Sequence, residues 1–278
     1  MKIRHILPLF LSTLALGLIT PPASADNNSS NNATGITRQQ LIAAVNKATT
    51  DDLDGGYALK FWITLVDNTG KVVEVVTNGV TGESAGNSEW LGSRIISAQK
   101  ANTANAFSLD GYAISTANLY RATQPGGSLY GLQHSNPVDA SVAYAGDPKK
   151  YGTEKDPLKG KRIGGVNVFG GGLALYSGNK KVGAIGVSGD TSVADHGFAW
   201  RVREALAKHP GAGTEGITTV NLDAAGAVQT PIAGADKGDE LILESTTADQ
   251  YWNAWSHPAA PNTPKVADRL KVGILQAP

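Results

Sequence analysis

The sequence predicts an α+β domain: an antiparallel sheet built from two hairpins, helices packed on one side of it, and an irregular C-terminal extension. Two pairs of β-rich runs flank short polar turns at residues 67–70 and 177–180, which is typical of hairpins. The helical patterns stand in groups and do not alternate with single strands, so they favour an antiparallel sheet over a parallel one. With 33 glycines in 278 residues, the chain is rich in turns and long enough for one core.

The first 25 residues have the features of an export signal. Lys2 and Arg4 precede the apolar run "ILPLFLSTLALGLI", and the small residues Ala23 and Ala25 follow it, as signal peptidase requires. We therefore expect cleavage after Ala25 and a periplasmic or secreted protein. The apolar run is shorter than the ~20 residues that cross a bilayer, and no later segment approaches that length, so we expect no membrane insertion.

The composition excludes several kinds of chemistry. The chain has no cysteine, which rules out disulfides, thiolate ligands, cysteine nucleophiles and covalent haem attachment. Its one methionine is Met1, so an iron ion could be held only by histidine, tyrosine, carboxylate, hydroxyl or backbone groups. Basic and acidic residues both number 24, and this balance gives no reason to expect nucleic acid binding.

The first half of the chain is predicted to run from a tether through a helix and a hairpin to further helices. Residues 26–35 are polar and of low complexity, which indicates a disordered tether. Apolar residues at helical spacing predict a helix within residues 36–52. The two β-rich runs of residues 57–78 predict the first hairpin. Helices are then expected within residues 89–107 and, more briefly, 115–124.

The second half begins with a long irregular segment, residues 126–165. Loops of this length inside a domain are usually functional or disordered, and its scattered apolar side chains indicate that it packs against the core. Residues 164–189 predict the second hairpin, and residues 192–208 a closing helix. We therefore place one α+β domain at residues 36–210. Residues 211–278, with a looser and Pro-rich texture, are predicted to form an extension that wraps this domain.

The stretch "GAIGVSGDTSVADHGFAW" places a serine between glycines, so we considered a serine nucleophile on a strand-to-helix turn. That motif needs a small residue two positions after the serine, because the turn is crowded. Asp190 stands two positions after Ser188 instead. Asp195 and His196 are adjacent and cannot themselves form the acid-to-base relay of a hydrolase. The pattern therefore disfavours a serine hydrolase.

The same stretch has a structural interpretation as a capped helix start. Ser192 is a suitable N-cap, and Asp195 three residues later can complete a capping box. This interpretation leaves the density of preceding glycines unexplained, since glycine in strands often marks the close approach of a ligand or another backbone. A helix N-terminus beside such strands would suit an anionic group, such as a carboxylate.

Two motifs together resemble the GlcG/HbpS-type haem-binding family. One is the stretch "VNVFGGGLALYSGNKKVGAIGVSGDTSVADHGFAWRVREAL", with its specific core at residues 183–190. The other is a helical Lys-Ala-x-Thr-Ala motif, matched here by Lys100, Ala101, Thr103, Ala104 and Phe107. The resemblance covers residues 36–208. It implies the α/β fold that this family shares with the C-terminal domain of PduO-type corrinoid adenosyltransferases, non-covalent haem as a cofactor, and a homo-oligomer.

Two histidines are candidate metal ligands. His134 lies in the loop "YGLQHSNP", where it is either a ligand or acid–base group or an exposed, turn-bonded histidine. His196 lies in the first turn of the closing helix and is either a ligand or a buried packing residue. The full set of candidate cofactor-binding residues is His134, His196, Ser188, Asp190, Gly171 and Gly189.

The leading functional prediction is an exported protein that binds a small molecule, namely haem or a similar tetrapyrrole. The resemblance also admits an enzyme, because relatives include a lyase that acts on a hydroxylamino-aromatic acid. The alternative is therefore a lyase or hydrolase that acts on a small carboxylate-bearing molecule. In that case Ser188 and Asp190 would hold the anion, and His196 or His134 would move the proton. A second alternative is an oligomeric accessory module without a ligand.

Overall fold

The strands and helices of the protein follow one another in the predicted order. The helices are α1 (Arg38–Ala48), α2 (Ser93–Phe107), α3 (Leu132–Ser135), α4 (Ala140–Ala143) and α5 (Ser192–Ala205). The strands are β1 (Trp62–Asp67), β2 (Val72–Thr77), β3 (Tyr112–Ala113), β4 (Gly172–Ser177), β5 (Lys180–Ser188), β6 (Glu215–Gly216), β7 (Leu241–Leu243) and β8 (Ile274–Gln276).

The computed structural model describes only part of the chain. The described residues are 34–49, 56–79, 81, 90, 92–212, 214–216, 238–243, 256–258 and 274–276. The predicted signal peptide and nearly all of the predicted tether lie outside them. Within the described residues, no helix has the length and apolar character needed to cross a membrane.

The central sheet has four antiparallel strands in the order β2-β1-β5-β4. In the first hairpin, Asp67 Oδ1 accepts a hydrogen bond of 2.8 Å from Thr69 N, and Gly70 has a φ of +75°. Gly178 has a φ of +61° in the second hairpin turn. This left-handed conformation favours glycine because it has no Cβ. Both hairpins are thus confirmed.

Helices cover both faces of this sheet. Ile63 and Leu65 of β1 pack with α1 and α5, whereas Trp62 and Val66 of the same strand pack with α2 on the opposite face. The α+β class and the antiparallel sheet are confirmed, but the helices lie on two sides and not on one. Every residue of β1 is buried, and a strand that is apolar on both faces needs cover on both.

The segment 126–165 packs against the α2 side of the sheet, as its apolar residues indicated. Leu158 and Ile163 are buried in the same cluster as α2, and an ion pair joins Arg94 of α2 to Asp156. The helix predicted for residues 115–124 is instead a pair of 3₁₀ turns, Ala117–Leu119 and Arg121–Thr123.

Parts of the region after residue 210 contact the core domain. Strand β6 pairs with β3, and β7 pairs in parallel with β8. Asp239 forms a fully buried ion pair with Arg203 of α5, at 2.5 Å. Asn118 Nδ2 donates to the carbonyl oxygen of Glu240 at 2.9 Å. The division into a core domain and a wrapping extension stays a prediction.

Candidate functional site

A cleft of about 370 Å³ opens where β5 ends and α5 begins. Its walls combine apolar, hydroxyl and charged side chains contributed by the start of α2, the approach to β4 and the β5–α5 junction. The lining residues are Trp90, Gly92, Ser93, Ile96, Lys100, Phe169, Ser188, Asp190, Thr191, Ser192 and Asp195. This size and mixture are typical of small-molecule sites.

The N-cap of α5 is Thr191, not the predicted Ser192. Thr191 has extended backbone angles, and its side chain accepts a hydrogen bond from Ala194 N. Ser192 is therefore the first helical residue, and Asp195 lies one position too far along for a capping box. Asp195 Oδ1 instead accepts a hydrogen bond of 3.0 Å from Asp190 N. The predicted capping box is wrong because the helix begins one residue earlier than the motif requires.

A buried ion pair forms the floor of the cleft. Lys100 Nζ of α2 lies 2.6 Å from Asp195 Oδ2 of α5, and each side chain is only 2% exposed. Lys100 Nζ also donates to the carbonyl oxygen of Val187 at 3.0 Å. Gly171 leaves space for this pair, since a Cβ there would overlap the Val187 carbonyl oxygen and lie 3.0 Å from Asp195 Cβ. The pair thus joins the two helical layers around the end of the sheet.

Burial moves the pKa values of both partners toward each other. It raises the pKa of Asp195 to about 6, although Lys100 opposes the rise. It also lowers the pKa of Lys100 below the ordinary value of 10.5, although Asp195 opposes the fall. Desolvation disfavours the charged form of each group, and this cause outweighs their mutual attraction. Such shifts within a cleft are typical of functional sites.

Asp190 anchors one edge of the cleft. Its carboxylate accepts backbone hydrogen bonds from Tyr57 N at 2.9 Å, Leu59 N at 2.9 Å and Thr191 N at 2.6 Å. The Tyr57 ring meets the Trp90 ring edge-on, with 5.7 Å between the centroids. Asp190 therefore holds the segment before β1 that supports an aromatic wall of the cleft.

Two buried histidines lie behind the cleft, on either side of Gly170. The Gly170 N–H donates to His257 Nε2 at 3.3 Å, and a Cβ on Gly170 would lie 3.1 Å from His196 Cβ. Burial lowers the pKa of His257 to about 4. Burial, with the positive charge of Arg203 and other nearby groups, also holds the pKa of His196 well below its ordinary value. Both rings are therefore neutral at pH 7.

His196 is completely buried, and neither ring nitrogen has a hydrogen-bond partner among the described residues. Its ring stacks with Trp200 at 6.1 Å. His134 is exposed in α3 and does not line the cleft. No group of three or more metal-binding side chains occurs in the part of the chain that the structure describes.

The structure brings some of the predicted residues together. Ser188 and Asp190 line the cleft, and Gly171 and Gly189 lie beside it. A Cβ on Gly189 would overlap the carbonyl oxygen of Lys60, so the backbone of Gly189 lies directly against the backbone of Lys60. The sequence patterns did not indicate the aromatic walls or the ion pair. Lys100 stood out only through the family motif, and no local pattern pointed to Trp90 or Phe169.

Comparison with known proteins identifies the family. The model of the family described as "Haem degrading protein HbpS-like" matches residues 39–204. This chain belongs to the HbpS-like family. No curated protein matches this HbpS-like chain.

Two solved structures are similar to the HbpS-like chain. Protein ORFY of Klebsiella pneumoniae is 23% identical, with 72% of this chain and 98% of that chain covered and a TM-score of 0.40. A PduOC:haem complex is 22% identical, with 62% of this chain and 94% of that chain covered and a TM-score of 0.40.

Proposed function

We propose that this HbpS-like protein binds haem, or a similar flat tetrapyrrole, without a covalent link in the cleft at the β5–α5 junction. The observation that carries the proposal is the family match over residues 39–204. The cleft supports it, since Trp90, Ile96 and Phe169 offer apolar surface beside the N-terminus of α5. Helix N-termini suit the carboxylates of such a molecule.

The donor groups of the cleft fit the organic part of haem better than its iron. Apolar and aromatic side chains suit the macrocycle, and hydroxyls such as those of Ser188 and Thr191 suit its propionates. No histidine among the described residues lines the cleft. Of the two predicted iron ligands, His134 is accessible to a ligand, whereas His196 would need a rearrangement of α5. The proposal therefore assigns the macrocycle and its propionates to the cleft. His134 and His196, neither of which lines the cleft, stay predicted iron ligands to be tested.

Haemin titration of the purified protein tests this proposal. A saturable shift of the Soret band is expected at micromolar haemin, because apolar burial and the carboxylate contacts both favour the complex. The double variant Trp90→Ala and Phe169→Ala should weaken binding about tenfold or more, because two aromatic surfaces are lost. Tyr144→Ala is the matched control, since Tyr144 is an exposed aromatic residue away from the cleft.

The absence of a Soret shift in the wild-type protein would overturn the proposal. An unchanged affinity in the double variant would place the haem elsewhere on the protein. His134→Ala and His196→Ala complete the series. A changed iron spectrum with retained haemin affinity in one of these variants would identify that histidine as an iron ligand. Unchanged spectra in both would exclude both histidines.

Export and assembly belong to the same proposal. We infer from residues 1–25 that the protein is exported, and from the family resemblance that it forms homo-oligomers. N-terminal sequencing of the protein from its native host should begin at Asp26. Light scattering of the purified mature chain should give a multiple of the monomer mass. An uncleaved N-terminus would contradict export, and a monomer would contradict assembly.

The ion pair favours a second candidate function, an enzyme that acts on a small carboxylate-bearing molecule. A buried lysine beside a carboxyl group can exchange a proton with a bound ligand. In this candidate the Asp195 carboxylate accepts a proton from a carbon next to a carbonyl group, so a C–H bond breaks and an O–H bond forms. The electron pair moves onto the carbonyl oxygen, which the Lys100 ammonium group protonates.

Phenylpyruvate in deuterium oxide provides the test, because removal of a methylene proton leads to deuterium incorporation that NMR detects. Wild-type protein should accelerate the exchange, and Lys100→Met should slow it about a hundredfold. Lys181→Met is the matched control, since burial also lowers the pKa of Lys181, which does not line the cleft. Exchange no faster than in buffer would contradict this candidate.

A further inference from the structure

The Ser188 side chain borders the cleft and its hydroxyl has no partner among the described residues. Ser188 is 5% exposed and lines the cleft. Its hydroxyl makes no hydrogen bond to any residue that the structure describes. Because Ser188 lines the cleft, its hydroxyl is free to form a hydrogen bond with a molecule bound there.

The first turn of α5 presents further free donors at the same place. The helix has 14 residues, and its first N–H groups have no intrahelical acceptor. Thr191 accepts from Ala194 N through its side chain and from Asp195 N through its carbonyl group. The N–H groups of Ser192 and Val193 find no acceptor within the described part of the chain. They carry the positive end of the helix dipole.

The carboxylates beside these donors are already compensated. Three backbone N–H groups donate to Asp190. Lys100 and the Asp190 N–H neutralise Asp195. An anion at the start of α5 would therefore meet free donors, and the nearby acidic groups are engaged elsewhere.

The rest of the cleft indicates what the anion is attached to. Trp90 is 42% exposed and Phe169 is 44% exposed, and both line the cleft together with Ile96. Exposed aromatic faces of this kind favour a flat apolar body. The ligand that fits the cleft therefore carries both a carboxylate and a flat aromatic part.

We propose that Ser188 and the first turn of α5 form a carboxylate subsite, and that the ligand's flat aromatic part lies against Trp90 and Phe169. The inference rests on the proposed function, because a tetrapyrrole propionate is one such carboxylate. The inference also extends the proposed function, because it names the groups that donate hydrogen bonds to the carboxylate. The Ser188 hydroxyl and the Ser192 N–H each donate to the carboxylate.

Benzoate and benzamide are the probes, since they share one ring and differ in charge. Isothermal titration should show benzoate binding to the wild-type protein at least about tenfold more tightly than benzamide. Ser188→Ala should weaken benzoate binding about tenfold or more, because a hydrogen bond to a charged group is lost. Benzamide binding should change far less. Ser177→Ala, at the exposed end of β4, is the matched control.

A second variant removes the backbone donor. Proline is well tolerated at the first position of a helix, and the extended angles of Thr191 are those favoured before a proline. Ser192→Pro should therefore keep the fold, as judged by circular dichroism, and weaken benzoate binding. Benzoate binding that does not exceed benzamide binding, or that survives both substitutions, would overturn the inference.

Haemin titration of the same preparations separates the two proposals. Haemin binding without selective benzoate binding would overturn the subsite and leave the proposed function intact. Benzoate binding through Ser188 without haemin binding would support the subsite and overturn haem as the ligand.

Discussion

Replacing Lys100 with methionine tests the energetic role of the buried ion pair. Methionine has a similar length and suits a helix, so the packing of α2 is largely kept. The substitution removes the ammonium group that lies 2.6 Å from Asp195. Asp195 then keeps only the Asp190 N–H as a described hydrogen-bond donor. The carboxylate becomes an uncompensated charge in a site that is 2% exposed.

Breaking a buried pair in this way typically costs about 3–5 kcal/mol of the free energy of unfolding. We expect that loss at pH 8, where Asp195 is ionised. Lys100 lowers the pKa of Asp195, so its removal raises that pKa further above about 6. A folded-state pKa above the unfolded value means that the folded state binds more protons, and its stability rises as the pH falls through the folded pKa. The loss should therefore shrink at pH 5.

Urea unfolding of the wild type and of Lys100→Met at pH 5 and pH 8 measures the effect. The double variant with Asp195→Asn removes the stranded charge and should recover much of the loss at pH 8. With the Asp195→Asn single variant, these proteins complete a double-mutant cycle that gives the coupling energy of the pair. A loss below about 1 kcal/mol at pH 8, or one equal at both pH values, would refute the reasoning, given the cost expected for a buried unpaired charge.

Two further predictions concern the supporting structure. Burial lowers the pKa of His257 to about 4 in the folded protein. The stability that this neutral ring contributes is complete above about pH 6.5 and is lost as the pH falls toward 4. His257→Gln should flatten the pH dependence of urea unfolding in this window, and an unchanged slope would contradict the shift. Gly186→Ala should destabilise the protein by about 3 kcal/mol, because the new Cβ would overlap the backbone of Ser97 in α2. Gly92→Ala meets only an ordinary contact with Ile96, and an equal loss of melting temperature in both variants would count against the overlap.

The elements that local sequence defines were predicted well. Polar turn residues beside Gly70 and Gly178 defined both hairpins, because a tight turn needs particular residues within four positions. The first amphipathic helix was predicted for the same reason, and Thr37 with Gln40 forms its capping box. Local rules were less accurate at α5, where a threonine and a serine are neighbours and either could be the cap.

The candidate site was predicted only in part. Ser188 and Asp190 were identified because they follow a glycine-rich strand and precede a helix, which is a local pattern. Trp90 and Phe169 carry no such pattern, since an isolated aromatic residue in a loop is equally compatible with core packing. The accessibility of His134 and the burial of His196 depend on neighbours that are distant in the chain.

The sequence by itself determined the cysteine-free chemistry, the two hairpins and the family, because each depends on composition or on residues close together in the chain. The tertiary structure decided which faces of the sheet are covered and which polar groups meet at its end. Lys100 and Asp195 lie 95 positions apart, on helices that cover opposite faces of the sheet. Their contact exists because both helices reach the end of β5, where glycine leaves room for two buried charges.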